Sequence, residues 1–481
     1  MSELTQRDNI STRGEEQHYD LIVIGGGSAG FAAAIEGHER ERSVLMVNAG
    51  PIGGTCVNVG CVPSKTLIRA AQALHHGRQH AFDGITMTTG AVDFAAIIRQ
   101  KDELVAQLRQ TKYVDVLRAY NRVTLIEGVA RLLSPDTVRV NDQDYSASRI
   151  LIATGSRPWQ PDIPGLAESD ALDSTSAFAL TRLPASMIVL GGRYVALETA
   201  QLFSRLGCSV TVLQRSDRIL PDEDAALTEA LTGYLRAEGL RIETGVQIRD
   251  IRSDSGGVHV RARIGAVEQT YSAERILCAT GRRANTGQLG LKDVGVQLST
   301  RGDIVVDAHL QSTVPGIFAA GDVIGDPAYV YTAAYEGRLA AANALSTAQQ
   351  KADYRALPWV VFTDPQIAGV GMNAREAARA GIEVDVARID LENVPRALAA
   401  RDTRGYITLI RRSNTDQLLG ARILAPEGGE QIMEAALAIR HDIGVTELAA
   451  AFHPYLTQAE GIKLCAQMFH KDVTTLSCCA T

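Results

Sequence analysis

Two stretches of this chain share one grammar: a short apolar strand runs into a glycine-rich turn and then into a helix of small residues. The first is Tyr19 to Ile24 followed by GGGSAGFAAAIEG, which sets Gly25, Gly27 and Gly30 at the spacing of a dinucleotide-binding turn. In such a turn the first glycine allows the tight reversal, the second lets a pyrophosphate approach the backbone, and the third lets helix pack closely on strand. The second stretch begins at Met187, where MIVLGGRYVALETAQLF places Gly191 in the turn, and it continues into a strand at Ser209 to Leu213. Two such units predict an α/β chain with two Rossmann-like dinucleotide-binding domains and therefore two nucleotides.

At 481 residues the chain has room for two to four domains. The apolar runs LIATGSRP (Leu151 to Pro158) and ILCATGRRAN (Ile276 to Asn285) each end in a glycine turn positioned to close a nucleotide domain. IFAAGDV (Ile317 to Val323) presents Asp322 at the end of a buried strand, where an acid can accept a hydroxyl hydrogen bond. From about Pro358 this grammar stops. Strand-like runs (Gly405 to Arg411, Leu418 to Leu424) then alternate with helix-like ones (Glu430 to His441, Gln458 to Phe469), as in an α+β domain.

Composition narrows the function classes. With 46% hydrophobic and 21% charged residues the chain reads as globular, and a net charge of −7 gives no general attraction for nucleic acid or anionic lipid. No apolar run approaches the ~18–20 residues of a membrane span, and the polar leader 1–18 does not read as a signal peptide, so a cytoplasmic protein is expected. Seven cysteines are too few for a secreted disulfide framework. Cys56 and Cys61 lie close together in GGTCVNVGCVPSK, and Cys478 and Cys479 are adjacent near the end. Such pairs suggest redox or soft-metal chemistry. Cys208, Cys278 and Cys465 are expected to be buried and inert, and His75, His76, His453 and His470 show no metal-ligand spacing.

The order of GGTCVNVGCVPSK, second glycine turn, ATG strands and AAGD resembles the FAD-dependent pyridine nucleotide-disulfide oxidoreductases from Tyr19 onward. That resemblance implies FAD-binding segments at 19–156 and 285–356, an NADPH-binding domain at 157–284, and a C-terminal dimerisation domain at 357–481 that makes a homodimer. It implies that Cys61 contacts the flavin and that Cys56 is the outer sulfur. A helix starting near these residues favours a thiolate through its dipole. Lys65, one turn further on, is implied beside the flavin with Glu198 as its partner, and Tyr194 as an aromatic gate where nicotinamide stacks. Gly50, Thr55, the backbone near Ala130, Asp322 and Val330 are implied as further FAD contacts. The strand of the second unit ends at Gln214, with Arg215 and Arg218 following, so a 2′-phosphate meets guanidiniums and NADPH is expected over NADH.

Disulfide reductases of that family carry a histidine five residues before a glutamate in the last domain, to protonate a departing thiolate. Here that place, counted from Glu460 in HPYLTQAEG, is Tyr455, whose phenol has a reference pKa of ~10, and His453 lies two residues earlier. A slipped register that lets His453 reach the site is the other reading. Together with Tyr194, the terminal LSCCAT and the stretches VVFTDPQIAGVG and ENVPRALA, this resembles the mercuric reductases within the family. The resemblance implies Hg(II) as substrate, bound by Cys56 and Cys61 and delivered by Cys478 and Cys479 of the partner subunit. A disulfide or thioredoxin-type reductase is the alternative. Two positions depart from the pattern: Asn48 stands where an acid usually meets the adenosine ribose, and Arg193 stands where the second turn usually has a glycine.

Overall fold

A computed structural model describes residues 18–475, so the terminal pair Cys478 and Cys479 and nearly all of the polar leader lie outside the described residues. The chain folds into two compact units, each gathered from separate stretches of sequence.

The first unit comprises 18–58, Ala106–Arg157 and Arg282–Ala352. Its sheet runs Val123–Glu127, Val44–Asn48, His18–Ile24, Gln143–Ile152, Thr137–Val140, Ala130–Leu132, and Ile317–Ala319 also pairs with Gln143–Ile152. Val123–Glu127, Val44–Asn48, His18–Ile24 and Gln143–Ile152 run parallel to one another, and the sheet then continues antiparallel through Thr137–Val140 and Ala130–Leu132. Leu21, Ile22 and Val23 are fully buried, as expected of a strand covered on both faces. Helix Ser28–Glu39 packs on this sheet and against helix Val330–Ala344. The approach is so close that a Cβ at Gly337 would come within 2.0 Å of the Ala29 carbonyl oxygen.

The second unit comprises Val59–Val105, Pro158–Gly281 and 353–475. It contains the second nucleotide-type sheet, four parallel strands in the order Arg241–Glu243, Ser209–Leu213, Ser186–Leu190, Arg275–Cys278. Helix Cys61–Arg78 lies along helix Tyr194–Leu206, and Leu67, Ala71, Ala196, Ala200 and Phe203 share one core. An antiparallel sheet of Val246–Asp254, Gly257–Ile264 and Val267–Ala273 belongs to the same unit. The last segment forms a five-stranded antiparallel sheet, Trp359–Val361, Gln366–Gly371, Leu418–Ala425, Tyr406–Arg412, Val384–Asp390. Helices Gly428–Arg440 and Glu460–Gln467 pack on it through Ile432, Ala435, Ile462 and Cys465. The α/β class with a final α+β portion is therefore as the sequence predicts. The strands at Tyr406–Arg412 and Leu418–Ala425 fall within a residue of expectation at each end.

Candidate functional site

In the first unit the glycine turn is shaped by steric necessity. Gly25 sits at φ +118, and a Cβ there would come within 2.2 Å of the Ala153 carbonyl oxygen; one at Gly30 would come within 1.8 Å of the Gly25 carbonyl oxygen. Gly27 is the N-cap of helix Ser28–Glu39 and offers no capping side chain, and the first turn holds no acid. The amides of that helix start are thus left for an anion, which fits a pyrophosphate. Gly54, at φ +63, closes against Gly27, where its Cβ would lie 2.7 Å from the Gly27 Cα. It opens the short helix Gly54–Asn58, which carries an exposed Thr55 and a half-buried Cys56. Asn58 ties this helix to the turn before it by donating to the Ile52 and Gly54 carbonyls at 3.0 and 2.9 Å.

Asn48 is not a ribose acid, and its amide is already engaged. Its Oδ1 accepts the Gly26 N–H at 2.9 Å, and its Nδ2 donates to the Gly50 carbonyl. Across the same unit, Asp322 Oδ2 accepts from Ser156 Oγ at 2.6 Å, and Arg282 Nε donates to that hydroxyl at 2.7 Å. Glu336, 1% exposed, accepts the Gly321 N–H at 2.8 Å and fixes the turn that presents Asp322. Val330 opens helix Val330–Ala344 and is half-buried, whereas Ala130 is a buried strand residue. The glycine cradle, the uncapped helix start and Asp322 fit the pyrophosphate and hydroxyls of FAD.

In the second unit Cys61 is the first residue of helix Cys61–Arg78, whose first turn contains no acid to oppose a thiolate. One turn on, Lys65 Nζ lies 2.6 Å from Glu198 Oε2 and 4.4 Å from the centre of the Phe362 ring. Glu198 is 7% exposed, and its other oxygen accepts the Phe362 N–H at 3.0 Å. The carboxylate is therefore satisfied on both sides, as a buried charge requires. These are not two ordinary surface charges.

The second glycine turn repeats the first. Gly191 has φ +118, and a Cβ there would come within 2.5 Å of the Ala279 carbonyl oxygen. Arg193 is the N-cap of helix Tyr194–Leu206; its exposed side chain turns outward to Asp222. Of the two arginines expected at a 2′-phosphate, Arg215 is exposed, while Arg218 folds back to donate to the Pro221 carbonyl at 3.1 Å and buries its Nε without a hydrogen-bond partner. The open turn and the Arg215 guanidinium fit a phosphorylated dinucleotide. Tyr194 stacks on Trp359, with ring centres 5.8 Å apart.

The last domain separates the two candidates for a proton donor. His453 points inward, with its side chain 6% exposed; Nε2 lies 2.8 Å from Glu434 Oε1 and Nδ1 lies 3.2 Å from the Ala451 carbonyl oxygen. Tyr455 is exposed. The scattered cysteines are buried as expected, and burial pushes the Cys208 and Cys465 thiols up to about 12 and raises Cys278 as well. Among the described residues no group of three or more histidines, cysteines or acids could hold a metal ion. No helix among them is long and apolar enough to cross a membrane. Sequence reasoning missed Phe362 and Trp359, although VVFTDP was already part of the recognised pattern.

The sequence profile described as pyridine nucleotide-disulphide oxidoreductase matches residues 19–337, and the profile of that family's dimerisation domain matches 357–466. The chain is 46% identical over 469 residues to a mercuric reductase of Streptomyces lividans, covering 96% of this chain and 98% of the relative. It is 42% identical to one of Staphylococcus aureus, covering 96% and 84%. Among solved structures it is similar to the HOCl-induced flavoprotein disulfide reductase RclA from Escherichia coli, at 27% identity and a TM-score of 0.83, covering 94% of this chain and 100% of that one.

Proposed function

Since the chain belongs to the pyridine nucleotide-disulphide oxidoreductases, and is related over nearly its whole length to mercuric reductases, we propose that it reduces Hg(II) to Hg(0) with electrons from NADPH. It is an oxidoreductase of the FAD- and NADPH-dependent kind, and it works as a homodimer through its C-terminal domain. Residues 19–156 and 285–356 serve FAD, 157–284 serve NADPH and 357–481 serve dimerisation. The absence of a membrane-spanning helix among the described residues is in keeping with work in the cytoplasm.

FAD, when bound, relays two electrons from NADPH to the metal ion. Gly25, Gly27, Gly30 and the start of helix Ser28–Glu39 receive the pyrophosphate, with Gly50, Thr55, Ala130, Asp322 and Val330 around the rest. Gly191 and Arg215 receive the coenzyme, and Arg218 shapes the loop that carries Arg215. Lys65 brings positive charge to the flavin, and Glu198 compensates that charge and fixes its direction. Cys61 opens helix Cys61–Arg78, whose positive end attracts the negative charge of a sulfur ligand, and with Cys56 it holds Hg(II) through two soft ligands. Zero-valent mercury has no comparable affinity for thiolates and leaves. Upstream, Cys478 and Cys479 of the partner subunit capture Hg(II) and pass it on by ligand exchange, one thiolate displacing another.

One observation carries the choice of a metal ion over a disulfide. The histidine nearest to the place where a disulfide reductase needs its acid, His453, is held between Glu434 and Ala451, and the place itself is taken by Tyr455. A phenol is a poor proton donor near neutral pH, whereas reducing a metal ion needs none. The test is NADPH consumption on adding Hg(II) in excess thiol, compared with oxidised glutathione, lipoamide and thioredoxin. Turnover with Hg(II) alone is expected, and turnover with a disulfide but not Hg(II) would replace this reading with the disulfide reductase one.

A further inference from the structure

The loop that carries Arg215 is held from outside as well as from within. It spans residues 214–224, between strand Ser209–Leu213 and helix Ala225–Ala237 of the second unit. On its inner side Ile219 and Leu220 are buried in the core, and the Leu220 N–H donates to the Gly192 carbonyl of the glycine turn at 2.9 Å. Arg218, donating to the Pro221 carbonyl, ties the loop to itself. An internal tie sets the shape of a loop, whereas ties to other elements set where it stands.

Ties of that second kind come from the last domain and converge on three consecutive residues, Pro221, Asp222 and Glu223. Arg375, half-buried on helix Ala374–Arg379, donates to the Pro221 carbonyl at 3.3 Å and to the Asp222 carbonyl. Asn373, fully buried, caps that helix by accepting the Glu376 N–H at 2.8 Å. Arg422, on strand Leu418–Ala425 and 3% exposed, donates to Glu223 Oε2 at 2.7 Å and to the Val370 and Ala421 carbonyls at 3.0 and 2.9 Å. A guanidinium tethered at three points is a fixed anchor, so Glu223 is pinned to the sheet of the last domain. Charge works in the same direction. Asp222 and Glu223, on the loop that offers Arg215 to a phosphate, would oppose an anion, but Arg193 pairs with the first and Arg422 with the second.

We propose that Arg375 and Arg422 are positioning residues for coenzyme selection: from the last domain they fix residues 221–223 and so hold Arg215 where it meets the 2′-phosphate of NADPH. They act through Arg215 and not on the coenzyme themselves. This rests on the reading of the loop as the 2′-phosphate site. A coenzyme without that phosphate draws nothing from Arg215, so its binding does not depend on the two anchors.

Calorimetry on the FAD-loaded homodimer measures the Kd of NADP+ and of NAD+, neither of which reduces the flavin. Arg375→Met, which keeps an unbranched stem but no donor, is expected to raise the NADP+ Kd by about 3- to 10-fold and to leave the NAD+ Kd unchanged. Arg422→Met combined with Glu223→Gln removes the other anchor without leaving a buried charge unpaired, and the same selective loss is expected. In an Arg215→Ala background Arg375→Met is expected to have no further effect on NADP+, because a residue that acts through another loses its effect with it. Equal weakening of both coenzymes, an unchanged NADP+ Kd in either folded variant, or a fully additive loss in the Arg215→Ala background would each overturn the positioning role. An NADP+ Kd unchanged in Arg215→Ala itself would overturn the reading of the loop, and the proposal with it.

Discussion

Glu198 holds the Lys65 ammonium at 2.6 Å with one carboxylate oxygen while its other oxygen accepts the Phe362 amide at 3.0 Å. The acid therefore compensates a cation and anchors the strand end of the last domain at once. Lys65→Met and Glu198→Gln should act on a bound flavin in opposite directions. Losing the cation disfavours the reduced, anionic flavin and lowers its midpoint potential; losing the acid leaves the cation uncompensated and raises it. Each shift should be on the order of 30 mV, equivalent to about 1.4 kcal/mol for two electrons. Because Lys65 is 33% exposed, water softens both effects. Potentiometric titration of the two variants checks this, and shifts of the same sign would contradict the account.

Arg218 braces its own loop by donating to the Pro221 carbonyl, which leaves the exposed Arg215 as the proposed ligand of a 2′-phosphate. Arg215→Ala should cut the NADPH-over-NADH preference in kcat/KM by about 10-fold or more, the loss of one charge-assisted hydrogen bond. Arg218→Ala should instead lower thermal stability, because its guanidinium caps the Pro221 carbonyl at 3.1 Å. An unchanged preference in Arg215→Ala would show that the 2′-phosphate is read elsewhere.

Much of this was legible in the sequence because it depends on short-range patterns. The strand from Ser209 to Leu213 and the turns at Gly25 and Gly191 follow from apolar runs and steric demands acting within a few residues. The antiparallel sheet Val246–Ala273 was not foreseen, since its half-exposed strands, such as VHVRARI, carry no glycine turn to mark them. Glu198 was foreseen as the partner of Lys65, but its bond to Phe362 joins positions 164 residues apart and no local pattern encodes it. Asn48 was legible only as a departure from the acid that usually meets the ribose. Its bond to Gly26 shows that it also braces the turn. The fold of Arg218 onto Pro221 was equally hidden, because a guanidinium's direction depends on packing rather than on residue type.

A buried ionic cluster predicts how stability depends on pH. Arg205 Nη1 meets Asp364 at 2.9 Å and Arg404 Nη2 meets it at 3.1 Å, within the second unit. Burial alone would raise the Asp364 pKa, but the two guanidiniums outweigh it and hold the carboxyl below its ordinary value of 3.8. A depressed acid contributes stability above its unfolded pKa, and that contribution is lost as pH falls from about 4 through the lower folded value. Burial, aided by Arg205, also lowers the His75 pKa from 6.5, so the unfolded chain takes up that proton first and stability begins to fall below about pH 6.5. Melting temperatures between pH 7 and pH 3 should show both limbs. His75→Gln should remove the upper one and Asp364→Asn the lower, and a wild-type Tm constant over that range would contradict both assignments.

The cysteine pairs should divide capture from reduction. Cys61→Ser should abolish the long-wavelength thiolate-to-flavin absorption and Hg(II) reduction together, whereas Cys56→Ser should keep the band and still lose turnover. Replacing Cys478 and Cys479 by serine should leave FAD content, dimerisation and NADPH oxidation by an artificial acceptor intact, yet suppress reduction of thiol-complexed Hg(II). Tyr455→His should raise disulfide reduction from its basal level by restoring a proton donor. Full activity of the tail variant on Hg(II) in excess thiol would remove the capture role.

The central claim, that electrons from NADPH end on mercury, is tested most directly by an anaerobic titration of the FAD-loaded enzyme with NADPH and then Hg(II) in excess thiol. The flavin spectrum is followed while volatile mercury is trapped. The account predicts that NADPH bleaches the flavin, that Hg(II) restores its oxidised spectrum, and that one Hg(0) is recovered per NADPH consumed, with none from the Cys61→Ser enzyme. A flavin that stays reduced after Hg(II) is added, with no mercury in the trap, would contradict it.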